Sequence, residues 1–372
     1  MLFRRVLGTQ RIIYAYRTEN ASSASNASPL FEMEEKSMKW CVIGAGGIAD
    51  RRTIPALLTD KQNELVAVMD KAPAAAKAVG EKYGVPFFTD EAEMLKTVVA
   101  DAVYISTPVF CHKAQAELAL GLGYHVFLEK PVCLSGRESR ELLEKFRAAG
   151  KQLSIGYMMK YHSLHEKAKE LIREGGIGAP VSLRAQFTCW YPDIAGAWRQ
   201  NRALGGGGAL MDLGVHCLEL VEDVLGEPIA EVKGYLATKT FSYEVEDSAV
   251  VIFKTESGVL GHLDCNFNIP DKASESKLEI YGDKGYIICR GTLSQEDGGV
   301  LSHLFCPQGD YEAAQNRTTD EPVCYEGNPD NNMYRRQLAA FTALVTSGKL
   351  DYTLAERAVR VQELVDKIYA NG

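Results

Sequence analysis

Short apolar runs alternate with longer segments of helical periodicity from Met38 to about Ile155. The apolar runs are Trp40–Ile43, Glu64–Met69, Ala102–Ile105, His125–Leu128 and Leu153–Ile155. The segments between them carry apolar residues three or four positions apart, at Lys77–Tyr83, Glu91–Val98, Lys113–Leu122 and Arg137–Ala149. Continuous apolar strands separated by helices are typical of a parallel sheet that is covered on both faces. The alternation therefore predicts an α/β domain with a doubly wound parallel sheet and right-handed crossovers.

After about Lys160 the pattern changes. Helices are predicted at Ser163–Arg173 and near Gly208–Val224, and two more at Met333–Thr346 and Leu354–Tyr369. Strands are predicted at Val181–Cys189, Ala230–Thr240, Ala249–Lys254, Val259–Phe267, Leu278–Tyr281 and Tyr286–Cys289. Runs of strands separated by turn residues favour a mostly antiparallel sheet backed by helices, which is an α+β domain. We therefore expect domains at residues 38–158 and 159–372, with the C-terminal helices packing back towards the first.

Charge and cysteine content exclude several classes of protein. The net charge of −8 leaves no broad basic surface, so nucleic acid is not an expected partner. No stretch reaches the roughly 18 apolar residues of a membrane span, so no membrane association is expected either. The nine cysteines are scattered and include no Cys-x-x-Cys pair. This distribution favours reduced thiols in the cytoplasm and predicts no metal site.

The first 37 residues differ in composition from the rest of the chain. Four arginines precede the first acidic residue, Glu19, and a Ser/Ala/Asn stretch follows. This composition resembles a mitochondrial presequence. The expectation is nevertheless a disordered leader, or codons upstream of a start at Met38, and the mitochondrial presequence is the alternative.

A glycine-rich turn follows the first predicted strand directly. Gly44-Ala45-Gly46-Gly47-Ile48-Ala49 matches the dinucleotide fingerprint between a strand and a helix, in which glycines let the backbone approach a pyrophosphate at the helix N-terminus. The second strand ends in Asp70, where a carboxylate that binds the adenosine ribose is expected. Because that carboxylate would repel a 2′-phosphate, NAD is favoured over NADP. The adjacent Lys71 would soften this discrimination and leaves NADP open.

Two further motifs carry candidate catalytic groups. Glu129-Lys130-Pro131 ends the fifth strand, at the sheet edge where α/β domains bind ligands. A glycine run, Gly205–Gly208, precedes Asp212 and His216, which would share one helix face. Taken singly, these residues have plain alternatives: Lys130 as a surface charge, Asp212 as a salt-bridge partner and His216 as a core histidine. Together they predict a cleft shared by two domains.

The chain from Met38 onward resembles the glucose-fructose oxidoreductase, inositol dehydrogenase and rhizopine-catabolism (Gfo/Idh/MocA) family. The matching motifs are the Gly44–Ala49 turn, Ser106-Thr107-Pro108 with His112, Glu129-Lys130-Pro131, Gly207-Gly208-x-x-x-Asp212-x-Gly214-x-His216, Asp247, and Tyr334 with Phe341. The resemblance implies a Rossmann domain followed by an open-faced sheet domain, and a homo-oligomer (dimer or tetramer) that forms through that sheet. It also implies oxidation or reduction of hydroxyl-bearing carbons of sugars, inositols or glycosides.

The resemblance assigns site residues position by position. The catalytic residues would be Lys130, Asp212 and His216. The cofactor-binding residues would be Gly44, Gly46, Gly47, Ile48, Asp70, Ser106, Thr107, Pro108, His112, Glu129 and Lys130. Substrate would contact Lys130, Tyr157, Trp198, Arg199, Asp212 and His216. Val109, Lys160 and Glu219 depart from the family pattern and leave the substrate contacts open.

The expected activity is NAD-dependent hydride transfer between nicotinamide and a sugar-like substrate. His216 is the candidate base because imidazole titrates near neutral pH. Lys130 is a rival base, since the positive charge of oxidised nicotinamide would favour its neutral form. Asp212 would orient the substrate and His216. Two alternatives stay open: glycoside cleavage through a transient keto-sugar, and a non-catalytic NAD-binding regulator.

Overall fold

The computed structural model describes residues 37–311, 313–315, 320–328 and 330–371. Except for Ser37, the expected leader lies outside these residues, so both interpretations of it stay predictions. The two sheets described below belong to one compact unit.

The first sheet contains six parallel strands in the order β3-β2-β1-β4-β5-β6. The strands are β1 (Met38–Ile43), β2 (Asn63–Met69), β3 (Phe87–Phe88), β4 (Ala102–Ile105), β5 (His125–Glu129) and β6 (Leu153–Gly156). The helices are α1 (Ile54–Leu58), α2 (Pro73–Tyr83), α3 (Glu91–Thr97), α4 (Val109–Gly121) and α5 (Gly136–Ala149). This order is that of the doubly wound dinucleotide-binding fold, and it confirms the predicted class. The order reverses between β1 and β4, and a ligand crevice opens at such a point.

Helix α5 shows how the local sequence sets these elements. The Ser135 side chain caps the helix by accepting a hydrogen bond from the Glu138 backbone N–H, as in a Ser-x-x-Glu capping box. Gly150 ends the helix in the left-handed conformation, with φ of 61°. Between these ends, Leu142, Leu143 and Phe146 are buried against the sheet.

The second sheet contains eight strands in the order β14-β13-β12-β11-β7-β10-β9-β8. The strands are β7 (Pro180–Thr188), β8 (Ile229–Ala237), β9 (Ser248–Thr255), β10 (Leu260–Asn266), β11 (Leu278–Gly282), β12 (Gly285–Arg290), β13 (Val300–Phe305) and β14 (Val323–Glu326). The accompanying helices are α6 (Ser163–Arg173), α7 (Arg202–Gly205), α8 (Val215–Leu225), α9 (Met333–Ser347) and α10 (Thr353–Asn371). Every pairing is antiparallel except that of β7 with β10, so the prediction of a mostly antiparallel sheet is confirmed.

The second sheet is covered on one face only. Along β9, Val251 and Phe253 are buried while Val250 and Ile252 are exposed, the period-two alternation of a half-buried strand. Helix α10 also reaches the first sheet's helices, since the Gly136 N–H at the start of α5 donates to Asp366 Oδ2 at 2.7 Å. The exact limits of the two domains stay a prediction.

Among the described residues, no helix is both long and apolar enough to cross a membrane.

Candidate active site

The glycine turn lies where the order of the first sheet reverses. Gly44 has φ of 83°, and a Cβ there would lie 2.9 Å from backbone atoms of Ser106 and Thr107. A side chain at this position would therefore be strained and would clash with the neighbouring turn. The Ser106 hydroxyl donates to the Gly44 carbonyl at 2.9 Å and joins the turns after β1 and β4.

Asp70 is bound to this turn. Its Oδ2 accepts a hydrogen bond from the Gly46 N–H at 3.1 Å, and its Oδ1 accepts one from the Ala72 N–H at 2.9 Å. These bonds fix the carboxylate beside the turn, and carboxylate oxygens have further lone pairs for ribose hydroxyls. A Cβ on Gly47 would meet no atom within 4 Å, so the turn presents open backbone. The residues present fit a dinucleotide.

A cavity of about 710 Å³ extends from this turn to the second sheet domain. Most of the residues expected to bind cofactor or substrate line it: Gly44, Gly46, Gly47, Ile48, Asp70, Ser106, Thr107, Pro108, Glu129, Lys130, Trp198, Arg199, Asp212 and His216. His112 and Tyr157 are not among the lining residues. The turn and the candidate catalytic groups thus share one cavity.

His112 lies behind the cavity wall. Its Nε2 is 2.9 Å from the Thr107 carbonyl, and its Nδ1 is 2.9 Å from the Pro131 carbonyl. The ring is 1% exposed, and burial lowers the pKa of His112. In this position His112 joins the segment that follows β4 to the segment that follows β5. It does not line the cavity itself.

Lys130 and Asp212 meet across the cavity. Lys130 Nζ donates to Asp212 Oδ1 at 2.8 Å and to the Asp212 carbonyl at 2.9 Å. Arg199 Nε lies 3.4 Å from the same Oδ1, and its guanidinium carbon is 4.3 Å from the centre of the Trp198 ring. Burial alone would raise the pKa of Asp212, but Lys130 and Arg199 hold it well below its usual range. Asp212 is therefore a carboxylate at all physiological pH values.

A buried acid supports the turn that carries Asp212. This turn, Leu210–Gly214, is π-helical, a conformation frequent at functional sites. Glu246 Oε1 accepts hydrogen bonds from the Gly208 N–H at 2.9 Å, from the Leu210 N–H at 3.0 Å and from the Tyr369 hydroxyl at 2.8 Å. The sequence motif had singled out the next residue, Asp247, which instead binds the backbone N–H groups of residues 239–241.

His216 is the second residue of α8, one turn after Asp212, and reaches the cavity wall. It is 4% exposed, and its ring packs edge to face with Tyr157 and Phe187. Burial lowers the pKa of His216 well below its ordinary value, and the charge of Lys130 lowers it further, while Asp212 opposes both. His216 is therefore a neutral imidazole near pH 7 and can accept a proton.

Glu129, the residue before Lys130, is a second acidic residue that lines the cavity. Its Oε1 accepts a hydrogen bond from the Tyr104 hydroxyl at 2.8 Å, and that hydroxyl lies 3.0 Å from Thr53 Oγ1. Burial raises the pKa of Glu129, although Tyr104 and Lys130 oppose the change. This chain of contacts links the cavity wall to the helical segment that follows the glycine turn.

Several lining residues were not predicted from the sequence. Gln295 comes from the connection between β12 and β13, and Tyr334 comes from α9. Beside them, Arg52 Nη2 and Glu296 Oε1 form an ion pair at 3.0 Å, so that connection touches the helix after the glycine turn. Tyr334 belonged to a recognised motif without an assigned role, whereas nothing in the local sequence marks Gln295.

Two of the three residues that depart from the family pattern, Lys160 and Glu219, carry charges that influence each other beside a buried ionic cluster. Arg357 of α10 pairs with Glu219 at 3.2 Å and also with Asp223. Burial raises the pKa of Glu219 to about 7, against the opposing effects of Arg357 and Lys160. Burial lowers the pKa of Lys160, while Glu219 and Asp223 oppose that change. Both departures thus alter the support of α8 rather than the cavity lining.

Among the described residues, no group of three or more His, Cys, Asp or Glu side chains could hold a metal ion.

Two family profiles match the chain. The GFO/IDH/MocA oxidoreductase family, with an NAD-binding Rossmann fold, matches residues 38–157, and the GFO/IDH/MocA C-terminal domain matches residues 165–288.

Characterised relatives and solved structures resemble the chain over most of its length. A 1,5-anhydro-D-fructose reductase of Ensifer adhaerens is 28% identical over 71% of this chain and 79% of its own. A D-glucoside 3-dehydrogenase of Escherichia coli (strain K12) is 27% identical over 91% of this chain and 97% of its own. The crystal structure of a 3-ketoreductase from Actinomadura kijaniata with NADP and TDP-benzene is 24% identical, with a TM-score of 0.78, and covers 90% of this chain and 98% of that one. At this identity the structural likeness shows the fold alone.

Proposed function

Because the chain belongs to the GFO/IDH/MocA oxidoreductase family, an enzyme family that acts on CH–OH groups of sugars, we propose that it transfers a hydride between NAD and a hydroxyl-bearing carbon of a sugar, inositol or glycoside. One observation carries the proposal. Lys130 and Asp212, from opposite sides of one cavity, are hydrogen-bonded at 2.8 Å in the cavity that also contains the glycine turn. Reductase and dehydrogenase names among the relatives leave the direction of the reaction open.

The preference for NAD rests on Asp70. The Gly46 and Ala72 N–H groups hold its carboxylate at the edge of the cavity, where it would accept hydrogen bonds from ribose hydroxyls and repel a 2′-phosphate. Arg51 and Lys71 also line the cavity and would weaken that repulsion. The wild-type preference is the balance between one carboxylate and these two cations.

When bound, the nicotinamide accepts or supplies the hydride, and the protein contributes positioning and proton transfer. Lys130 uses two of its three N–H groups on Asp212, which leaves one for the reacting oxygen of the substrate. Neutral His216 takes the hydroxyl proton in oxidation and returns it in reduction. Asp212 stays ionised, fixes the Lys130 ammonium and offsets the positive charge that develops on His216.

Polar and apolar groups at this end of the cavity suit a polyhydroxylated ring. Arg199 offers N–H donors for substrate oxygens, while the Trp198 and Phe187 rings offer apolar surface for C–H groups. A few polar groups that fix orientation on an apolar wall are typical of small-molecule sites.

A homo-oligomer through the open sheet is part of the proposal. Exposed apolar side chains cluster on the uncovered face, with Tyr235 86%, Ile252 57% and Leu260 59% exposed. Exposed apolar side chains on an uncovered sheet face favour association with a second copy. Light scattering on the wild type and on Ile252→Glu tests this, and a wild-type monomer would contradict it.

The activity is tested with polyols, aldoses and glycosides, with NADH formation measured by absorbance. Lys130→Ala and His216→Ala should each reduce turnover by about 10²- to 10⁴-fold, since each removes a proton-transfer or oxygen-binding group. Lys145→Ala, at an exposed ion pair, is the matched control. Near-normal turnover of either active-site variant would refute its role, and aglycone release without net NADH would indicate glycoside cleavage instead.

The cofactor preference is tested by titrating NADH and NADPH into the wild type and Asp70→Ser. The wild type should bind NADH more tightly, and Asp70→Ser should reduce the ratio of the two affinities. Tighter NADPH binding by the wild type would refute the assignment of Asp70. Lys71→Gln, which removes a neighbouring cation, should change the ratio in the opposite direction.

A further inference from the structure

The His216 ring is held between two aromatic side chains. Its centroid is 5.6 Å from that of Tyr157 with an interplanar angle of 86°, and 6.0 Å from that of Phe187 with an angle of 72°. Tyr157 follows β6 and is 4% exposed, whereas Phe187 lies in β7. The imidazole is thus packed by the residue that follows the last strand of the first sheet and by a residue of the second sheet.

The two ring nitrogens of His216 differ in their surroundings. Nδ1 is buried and has no hydrogen-bond partner within the described part of the chain. The ring also lines the cavity, so the imidazole has a dry side and a side that faces the ligand space. A buried polar atom without a partner costs free energy, and such an atom in a native structure calls for an explanation.

The aromatic neighbours of His216 bear on which of its two neutral tautomers forms. A neutral imidazole has one N–H and one lone pair, and which nitrogen carries the proton depends on the contacts of each. The face of an aromatic ring is negative, so it attracts an N–H and repels a nitrogen lone pair. A proton on Nδ1 therefore leaves the lone pair on Nε2.

We propose that Tyr157 and Phe187 position His216 for proton transfer, holding it as a neutral imidazole with its N–H at Nδ1 and its lone pair at Nε2, towards the cavity. This rests on the function proposed above. Tyr157 thereby acts through His216 rather than by contact with substrate.

The charged groups around the site are consistent with this role. Burial is the largest effect on the pKa of His216 and lowers it; Lys130, directly after β5, also disfavours the imidazolium, whereas Asp212 on the preceding turn favours it. Burial, together with the charges of Glu219 and Glu129, raises the pKa of the Tyr157 hydroxyl. Tyr157 therefore stays a neutral aromatic ring throughout the working pH range.

The test uses two substitutions that differ in chemistry. Tyr157→Phe keeps the aromatic face, and Tyr157→Gln replaces it with an amide whose oxygen can accept a hydrogen bond from Nδ1. The acidic limb of the pH profile of kcat/KM reports the base of the free enzyme. We expect this limb below pH 6.5 in the wild type and unchanged in Tyr157→Phe. In Tyr157→Gln it should move upward by about one pH unit or more, because the imidazolium gains a partner.

The tautomer is read directly by NMR of the full chain labelled with ¹⁵N-histidine, with His216→Asn used to assign the signal. The wild type and Tyr157→Phe should both show protonated Nδ1 and unprotonated Nε2 at neutral pH. A proton on Nε2 in the wild type, or an equal shift of the acidic limb in both variants, would overturn the proposal. The NMR result does not depend on turnover, so it decides the tautomer even if His216→Ala remains active and the proposed catalytic role fails.

Discussion

Arg357→Met removes the cation that holds the C-terminal helix against the helix of His216. The Arg357 guanidinium pairs with Glu219, which is 2% exposed, and with Asp223, which is 5% exposed. Methionine keeps much of the aliphatic volume, so the substitution tests charge rather than packing. The two carboxyl groups would then lie buried without their main partner.

The expected loss of stability follows from this burial. Breaking a buried ion pair by removing one partner costs about 3–5 kcal/mol. Lys169, whose Nζ is 3.1 Å from Asp223 Oδ1, remains and offsets part of the loss. Glu219 can also take up a proton, since burial raises its pKa to about 7. We therefore expect about 3 kcal/mol at pH 8 and less at pH 6, where Glu219 is neutral in both proteins.

Urea denaturation followed by circular dichroism at the two pH values measures this effect. The matched control is Lys77→Met, because the Lys77–Glu81 pair is 3.7 Å long and its side chains are 61% and 64% exposed. Such surface pairs contribute about 0–1 kcal/mol. If Arg357→Met is tolerated as well as the control at pH 8, the ionic cluster does not stabilise the packing of the two helices.

Two further predictions concern the supports of the site. The pKa of Glu219 is raised to about 7 in the folded chain. Its contribution to the free energy of unfolding is therefore full below the ordinary pKa near 4.5 and is lost as the pH rises through 7. Glu219→Gln should remove this component from a curve of stability against pH, and an unchanged curve would refute the prediction. Gly208→Ala should lower both the melting temperature and the turnover, because the new Cβ would lie 1.9 Å from the Glu246 carbonyl oxygen. Gly121→Ala, where a Cβ meets nothing within 4 Å, should leave both unchanged. Equal effects of the two substitutions would contradict this geometry.

The first sheet could be predicted because its signals are local. Apolar runs and helical periods gave five of its six strands to within two residues, and the glycine turn marked the switch point. Strand β3 (Phe87–Phe88) is only two residues long and pairs through Val68 and Met69, so it has no periodic signal of its own. In the second sheet, strands β13 and β14 were also not predicted from the sequence.

The candidate catalytic groups could be predicted from motifs, but their supports could not. Lys130 and Asp212 come from recognisable motifs and do meet. Glu246 supports Asp212 through backbone N–H groups of residues far away in the sequence, and such contacts leave no pattern in either segment. Tyr157 was expected to touch substrate, and this stays a prediction; its ring contact with His216 was not foreseen, because residue type alone does not give side-chain direction.

The central claim, hydride transfer between a substrate carbon and NAD, is tested most directly with isotope. The substrate found in the absorbance panel is prepared with deuterium on its carbinol carbon and incubated with NAD⁺ and the wild-type enzyme, and the NADH formed is analysed by mass spectrometry. One deuterium per NADH is the predicted result, with Lys130→Ala forming labelled NADH at a strongly reduced rate. Unlabelled NADH, or consumption of the substrate with deuterium retained on its carbon and no NADH formed, would contradict the proposed reaction.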